Sequence, residues 1–407
     1  MFSLLARGGV FMRLGLLVTH PIQYMAPLYR ALTQMEPTTC VAFIRSVKQE
    51  GSSAVIDPGF GKRAGWDIDL LSGYQWTSFN LASGESGAMS FHDLARIPTL
   101  VKNWINSESL DVLLIPGWAP HYTLAAETCR YLKVPYIVRP EARPSRSRSQ
   151  IRRIVRRGAV SRFVKGAGAT CAIGSWARDE LVRLGIPEAR IVSSPYTVDS
   201  EWWERRADDV RSMRSHIRQS MGIAEAHTLF VFVGKLAPYK GVNWLLSALQ
   251  KLNHRRQDWR LLIVGTGPSE SEIQDLACRL GLGDQVLFAG FRNQSELPEM
   301  YAIADALVLF SSETFGLVVS EAMSAGLPCV VSLDAGVSRD LILDGETGFR
   351  VEARDSDSAS LALEAMLNPD LRSRLSQAAR RVARSRTLDA AAAGILKAST
   401  MAQVQTT

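Results

Sequence analysis

The chain has 407 residues, 46% hydrophobic and 21% charged, with a formal net charge of +7. That usage excludes a disordered or collagen-like chain, and the length suits two domains of similar size better than one core. Five cysteines (Cys40, Cys129, Cys171, Cys278, Cys329) show no CxxC or CxxH spacing. This argues against a disulfide framework or zinc site and fits a reducing compartment. No stretch approaches the ~18 apolar residues of a membrane span, and the opening run does not read as a good signal peptide, because Arg7, Gly8, Gly9 and Arg13 break it. A cytoplasmic protein is expected.

In chain order, the first strand is predicted at Arg13–Thr19, with Met12 a candidate start and residues 1–11 a disordered extension. A helix over 26–34 and a strand over 40–45 follow. Residues 46–90, rich in Gly, Ser and Asp, read as a long and partly irregular insertion. Strands recur at 112–115, 136–139 and 169–173 with helical patterns between them, which implies a parallel sheet covered on both faces. After "SPYTVDSEWWERR" the pattern restarts. Residues 204–222 are polar and helical, "HTLFVFVGKL" is a fresh first strand, and later strands fall at 261–264, 286–289, 306–309, 328–332 and 348–351. The expected organisation is an N-terminal Rossmann-like domain over 12–204, a linker over 205–225, a second Rossmann-like domain over 226–385, and a C-terminal helix over 386–407 crossing back to the first domain.

In open parallel sheets, ligands bind beyond the carboxyl ends of the strands, where helix N-termini expose N–H groups. Three loops of the second half carry suitable chemistry. "VGKLAPYKG" places Lys235 and Lys240 before a helix starting near Val242, a pairing suited to a diphosphate, or merely a solvated loop with incidental lysines. "IVGTGP" offers Gly265 and Gly267, which let a ligand or another backbone approach closely. "FSSETFGLVVSEAMSAGLPCVVS" holds Glu313 and Glu321 around Phe315-Gly316. With a helix starting near Phe315, Glu321 lies ~9 Å along it while Glu313 stays in the loop. One carboxylate then suits a ribose and the other a sugar or leaving group; a surface Glu and a capping Glu are the plainer alternatives.

The pattern S-x-E-x-F-G-x-x-x-x-E-A-M-x-x-G-x-P resembles the signature of retaining glycosyltransferases of family 4, which have the GT-B fold. The resemblance continues in order through "VGKLAPYKG", "IVGTGP", "FAGFRNQSELPEMYAIADALVLFSSETFG", "EAMSAGLPCVVS" and "DLILDGETGFRV". It implies an α/β protein of two doubly wound Rossmann-like domains facing a central cleft. It also implies that Glu321 binds ribose, Glu313 lies near the donor sugar, Lys240 meets phosphate, the main chain of Phe315, Gly316 and Leu317 meets sugar and diphosphate, and the backbone near Phe291 forms the base-binding turn. Lys235 stands where the family usually has Arg, keeping the charge but losing a bidentate fork.

In the first half, "VTHPIQYMAPLYRAL" replaces the glycine pair common in the family and is similar to a variant in which His20 and Gln23 reach toward the cleft. "PGWAPHYTLAA" puts Trp118 and His121 on the ligand edge, where His121 either orients a substrate or is structural. "VRPEARP" resembles the acceptor-side segment, with Glu141 the candidate, and Asp199 of "SPYTVD" reads as a cap.

The charge is uneven. Between Arg139 and Lys165 ten basic residues face Glu141 alone, an excess of +9 that leaves the rest near −2. Arg152, Arg153, Arg156 and Arg157 make the 151–165 stretch a basic amphipathic helix, either a surface for anionic lipid or a solvated helix on its own sheet. No fold or aromatic platform for nucleic acid accompanies it. Asp67-Ile68-Asp69 has DxD spacing, but is read as a strand edge in an insertion far from the donor loops.

The resemblance thus implies a retaining, metal-independent hexosyltransferase. It would use Glu313, His121 and Lys240 to move a hexose from a nucleotide diphosphate sugar to a glycan or lipid-linked acceptor in cell-surface polysaccharide assembly, with no cofactor. An epimerase of the same fold, or a degenerate membrane-associated binding protein, are the alternatives.

Overall fold

The computed structural model describes residues 12–47, 54–55, 64–81, 89–141 and 150–404, with the side chains of 54–55, 64–65 and 150–157 left aside. The expected extension over residues 1–11 and the membrane patch side chains Arg152, Arg153, Arg156 and Arg157 therefore lie outside the described residues; of the latter, the backbone is helical within Gln150–Lys165. Among the described residues no helix is long and apolar enough to cross a membrane.

The chain divides into two compact units. The first comprises the described residues within Met1–Gly51, Asp69–Pro195 and Leu388–Thr407; the second comprises those within Ser52–Ile68 and Tyr196–Thr387.

The sheet of the first unit runs, in spatial order, Gln75–Leu81, Cys40–Arg45, Leu14–Val18, Val112–Ile115, Tyr136–Val138, Ala169–Ala172 and Ile191–Ser193, all pairs parallel. Runs such as LGLLV and VLLI are wholly buried because helices cover both faces of a parallel sheet. The last helix, Leu388–Val404, lies on this sheet, and Ser194 Oγ donates to the Ala391 carbonyl at 2.9 Å.

Two strands depart from the sequence expectation. Gln75–Leu81 sits inside the stretch expected to be an irregular insertion, as an edge strand whose only fully buried residue is Leu81, so its polar sequence carries no apolar run. Ile191–Ser193 is three residues long and leaves no periodic trace.

The second sheet runs Val286–Gly290, Trp259–Val264, Thr228–Val233, Ala306–Leu309, Cys329–Ser332 and Gly348–Val351, again parallel throughout. The expected linker over 205–225 is corrected here. Ser200–Arg211 and Arg214–Ser220 are helices that pack on the helix Leu297–Ile303, and they belong to the second unit with everything from Tyr196. The apolar positions Trp203 and Ala207, buried on one face, are what hold the first of them down. Asp199 caps it, accepting from Trp202 N at 3.0 Å.

In each unit the strand order reverses once. The reversals lie between Leu14–Val18 and Val112–Ile115, and between Thr228–Val233 and Ala306–Leu309. Such switch points open a crevice beyond the strand ends, because the flanking helices lie on opposite faces.

Candidate functional site

The two loops leaving the second switch point are those that hold Lys240 and Glu313. Lys240 Nζ donates to Glu313 Oε2 at 2.8 Å, and Ser311 Oγ donates to Glu313 Oε1 at 2.6 Å. The lysine is 8% exposed, so the pair is largely shielded from water, where a charge-assisted bond is worth more than on an open surface. Its ammonium also lies 5.6 Å from the centroid of the half-exposed Tyr239 ring. The loop reaches this position by a left-handed turn at Gly241 (φ 67°), where any Cβ would collide with the Phe310 carbonyl of the neighbouring loop.

The helix after Glu313 is Leu317–Ser324, two residues later than the predicted start at Phe315. Gly316 holds φ 112° and ψ 65° as its N-cap and offers no side chain to the first turn, so the positive end of the helix dipole faces the loop that carries Glu313. The Phe315 side chain is buried, its ring 5.6 Å from that of Tyr196, while its carbonyl accepts from Val337 N at 2.9 Å.

Glu321 lies one turn into that helix and is 8% exposed. Its Oε2 accepts from Tyr301 Oη at 2.8 Å. Tyr301 is fully buried and packs edge-on against Trp203, with ring centroids 5.6 Å apart. Burial pushes the Glu321 carboxyl up to about 7; the Tyr301 hydrogen bond and the Lys240 charge pull the other way and do not offset it. The sequence reading missed Tyr301 and Ser311 as partners of the two glutamates. Ser311 is legible as the serine of S-x-E, whereas nothing in the sequence places Tyr301, twenty residues from Glu321, beside it.

Gly265 and Gly267 serve backbone packing. A Cβ on Gly265 would strike the Gly234 carbonyl, and one on Gly267 the Leu236 carbonyl, so these glycines bring the "IVGTGP" and "VGKL" loops together. Lys235 is half-buried in the same loop as Lys240. Phe291 follows Gly290 (φ 70°) at the end of its strand and begins a loop closed by Glu296, whose Oε2 accepts from Asn293 N at 2.8 Å.

Asp67 and Asp69 require correction. Neither lies on a strand edge: after the short strand Ala64–Gly65, Asp67 sits in a bend and Asp69 directly follows it. Asp67 belongs to the second unit, on the loop after Phe291, and accepts from both Ser295 N and Ser295 Oγ. It is thus beside a predicted donor loop rather than far from it. Asp69 belongs to the first unit and accepts from Leu71 N at 2.9 Å and Ser72 N at 3.1 Å, a local turn. Among the described residues no group of three or more His, Cys, Asp or Glu is arranged to hold a metal.

In the first unit, the switch-point loops bring His20, Gln23, Trp118 and His121 to one sheet edge. His20 Nδ1 is 2.9 Å from Thr19 Oγ1. His121 stands in the first turn of the helix Pro120–Leu132, its ring 4.2 Å from that of Tyr122. Burial first, and the Arg45 charge second, bring its imidazole down to about 4, so it is neutral at ordinary pH. Its Nε2 is buried without a hydrogen-bond partner among the described residues. Glu141 is exposed at the end of the "VRPE" segment. Arg139 in that segment is buried and structural, donating to Ser194 Oγ at 2.9 Å and to the Ser194 and Pro195 carbonyls.

Two parallel-sheet Rossmann-like units, the second with this loop cluster at its switch point, define the GT-B class. Residues 62–197 match the family described as glycosyl transferase 4-like domain, and residues 213–382 match glycosyl transferases group 1. The chain belongs to these group 1 glycosyltransferases, of the family 4 type.

Among relatives, alpha-D-kanosaminyltransferase of Streptomyces kanamyceticus is 30% identical over 53% of this chain and 55% of its own length. The GDP-mannose-dependent alpha-(1-6)-phosphatidylinositol monomannoside mannosyltransferase of Mycolicibacterium smegmatis is 29% identical over 52% and 56%. The aligned region spans about half the length of these curated relatives. Among solved structures, Anabaena HepE in complex with UDP superposes with TM-score 0.73 at 16% identity, covering 95% of this chain and 99% of that one. Sucrose-phosphate synthase of Thermosynechococcus elongatus gives 0.71 at 17%, covering 95% and 98%. At these identities the likeness is one of fold.

Proposed function

We propose that this chain is a retaining hexosyltransferase that moves a hexose from a nucleoside diphosphate sugar to a glycan or lipid-linked acceptor in cell-surface polysaccharide assembly. The observation that carries this reading is the Lys240–Glu313 pair at a switch point, with Glu321 buried one turn into the helix that follows.

In this reading Glu321 accepts the ribose hydroxyls, and Lys240 with the first turn of Leu317–Ser324 meets the diphosphate. The acceptor oxygen forms a bond to the anomeric carbon as the bond from that carbon to the phosphate oxygen breaks. The bonding pair leaves with the diphosphate, and the hydroxyl proton passes to a phosphate oxygen on the same face. Glu313 faces the positive character that builds on the sugar, and Lys240 the negative charge that builds on the leaving group. They favour the transition state more than the ground state, which is the requirement for raising kcat. His20, Gln23, His121 and Glu141 are the acceptor-side set of the first unit. Lysine and helix dipole carry the leaving-group charge, so the reaction proceeds without a metal or cofactor and survives EDTA. That UDP is bound by the HepE protein supports a nucleotide sugar as the donor class.

The test is a thermal-stabilisation screen of UDP-, GDP- and ADP-sugars, since a bound donor raises the melting temperature by mass action. One sugar nucleotide should stabilise the protein and release its nucleoside diphosphate when an acceptor is added. Isomerised sugar nucleotide without release would instead establish an epimerase, and no stabilisation by any donor would overturn the reading.

A further inference from the structure

The Asp67 contact finds no place in the reaction above, yet it spans 228 residues of sequence. The Asp67 carboxylate accepts from Ser295 N at 3.3 Å and from Ser295 Oγ, while Asp67 N donates to Asn293 Oδ1 at 3.4 Å. Within the loop, Asn293 Oδ1 accepts from Gln294 N at 2.9 Å, and Glu296 binds Asn293 N and, at 3.1 Å, Arg292 Nη1. Residues 292–296 are thus tied among themselves and tied again, through residues 293 and 295, to a distant segment of the same unit.

The loop leaves the strand Val286–Gly290 directly after Phe291, at the carboxyl edge where the Gly290 carbonyl accepts from Gly265 N at 2.7 Å. A loop of this length without strand or helix of its own samples several conformations unless something holds it, and presenting a fixed backbone to a ligand then costs ordering entropy on binding.

We propose that Asp67 is a positioning residue for nucleotide binding. By clamping Ser295 and Asn293 it fixes the 291–296 loop in the conformation that receives the nucleoside portion of the donor. This rests on the donor reading given above. The clamp acts on the nucleoside end and leaves the diphosphate end, at Lys240, unchanged. It therefore affects donor affinity and not turnover once the donor is bound.

The experiment compares wild type with Asp67→Ala and with the milder Ser295→Ala, using UDP, GDP, ADP and inorganic pyrophosphate as probes in calorimetric titrations. Alongside these, donor KM and kcat are measured for whichever sugar nucleotide supports transfer. Loss of a charge-assisted clamp should weaken binding of the nucleoside diphosphate about tenfold in Asp67→Ala and less in Ser295→Ala. Donor KM should rise in parallel while kcat and pyrophosphate affinity stay as in wild type. Amide hydrogen exchange of residues 291–296 should quicken in Asp67→Ala alone or first. Unchanged nucleotide affinity in Asp67→Ala, or an equal loss for pyrophosphate, overturns the clamp. Wild type that binds none of UDP, GDP and ADP overturns the donor reading beneath it.

Discussion

Lys240 Nζ and Glu313 Oε2 lie 2.8 Å apart across the second switch point, joining the loop after Thr228–Val233 to the loop after Ala306–Leu309. Each charge holds the other in place, so neither residue acts independently. Glu313→Gln should lower kcat by about a hundredfold to a thousandfold, with little change in donor KM, as expected for electrostatic groups aimed at developing charge. Lys240→Met should lower kcat to a similar extent and also raise donor KM. The double variant should lose less than the product of the two single losses, because the residues share one interaction. Steady-state kinetics of the four proteins decides this; strictly multiplicative losses would contradict it.

Glu321 and Tyr301 predict a pH dependence. With its carboxyl at about 7, Glu321 is half protonated near neutrality, and in the proposed donor site only the ionised form would accept two ribose hydroxyls well. Donor KM should therefore fall as pH rises through about 7. Glu321→Gln should raise donor KM about tenfold to a hundredfold and flatten the profile. Tyr301→Phe removes a hydrogen bond that favours the ionised form, so its transition should move to higher pH. A Tyr301→Phe profile that superposes on wild type would show that the hydroxyl does not tune the carboxylate.

His121 predicts a stability change at acid pH. In the fold its imidazole takes a proton only near pH 4, whereas in the unfolded chain it does so near 6.5. Between these values the unfolded state holds the extra proton. The stabilisation is thus complete above about 6.5 and is lost as pH falls toward 4. His121→Phe, which has no such proton, should lose less stability than wild type over that window. Urea titrations at pH 7.5 and pH 5 measure the difference; equal losses would contradict the assignment.

Asp305 predicts a large structural effect away from the chemistry. It accepts from Arg214 at 2.9 Å, from the nearly inaccessible Arg218 at 2.6 Å and from Leu229 N at 2.8 Å, tying the helix Arg214–Ser220 to the first strand of its sheet. Removing the carboxylate takes from the buried Arg218 guanidinium its nearest counter-charge and leaves it the Ile303 carbonyl at 3.0 Å and Glu225 at 3.7 Å, so Asp305→Ala should cost about 3–5 kcal/mol. A loss under about 1 kcal/mol would show that water replaces it.

Much of the second unit was legible because its chemistry and its strands are both local in sequence. TLFVFV and ALVL are buried apolar runs whose ends mark the site loops directly. The edge strand Gln75–Leu81 was not legible, since one exposed face lets polar residues alternate through it. The Asp67–Ser295 contact was not legible either. DxD spacing suggests metal or strand edge from sequence alone, and only folding brings residue 67 to residue 295. The linker expectation failed for a related reason: a polar helix such as Ser200–Arg211 shows its charged face in composition, whereas Trp203 and Ala207 decide where it packs.

The most direct test of the central claim is the anomeric configuration of the sugar at the moment of transfer. Water can replace the acceptor in a slow turnover of the stabilising sugar nucleotide, and proton NMR of the freshly released hexose reads its anomeric coupling before mutarotation. Front-face displacement at the Lys240–Glu313 site predicts that the first-formed hexose keeps the configuration of the donor and that Glu313→Gln releases it far more slowly. A first-formed hexose of inverted configuration would contradict the account.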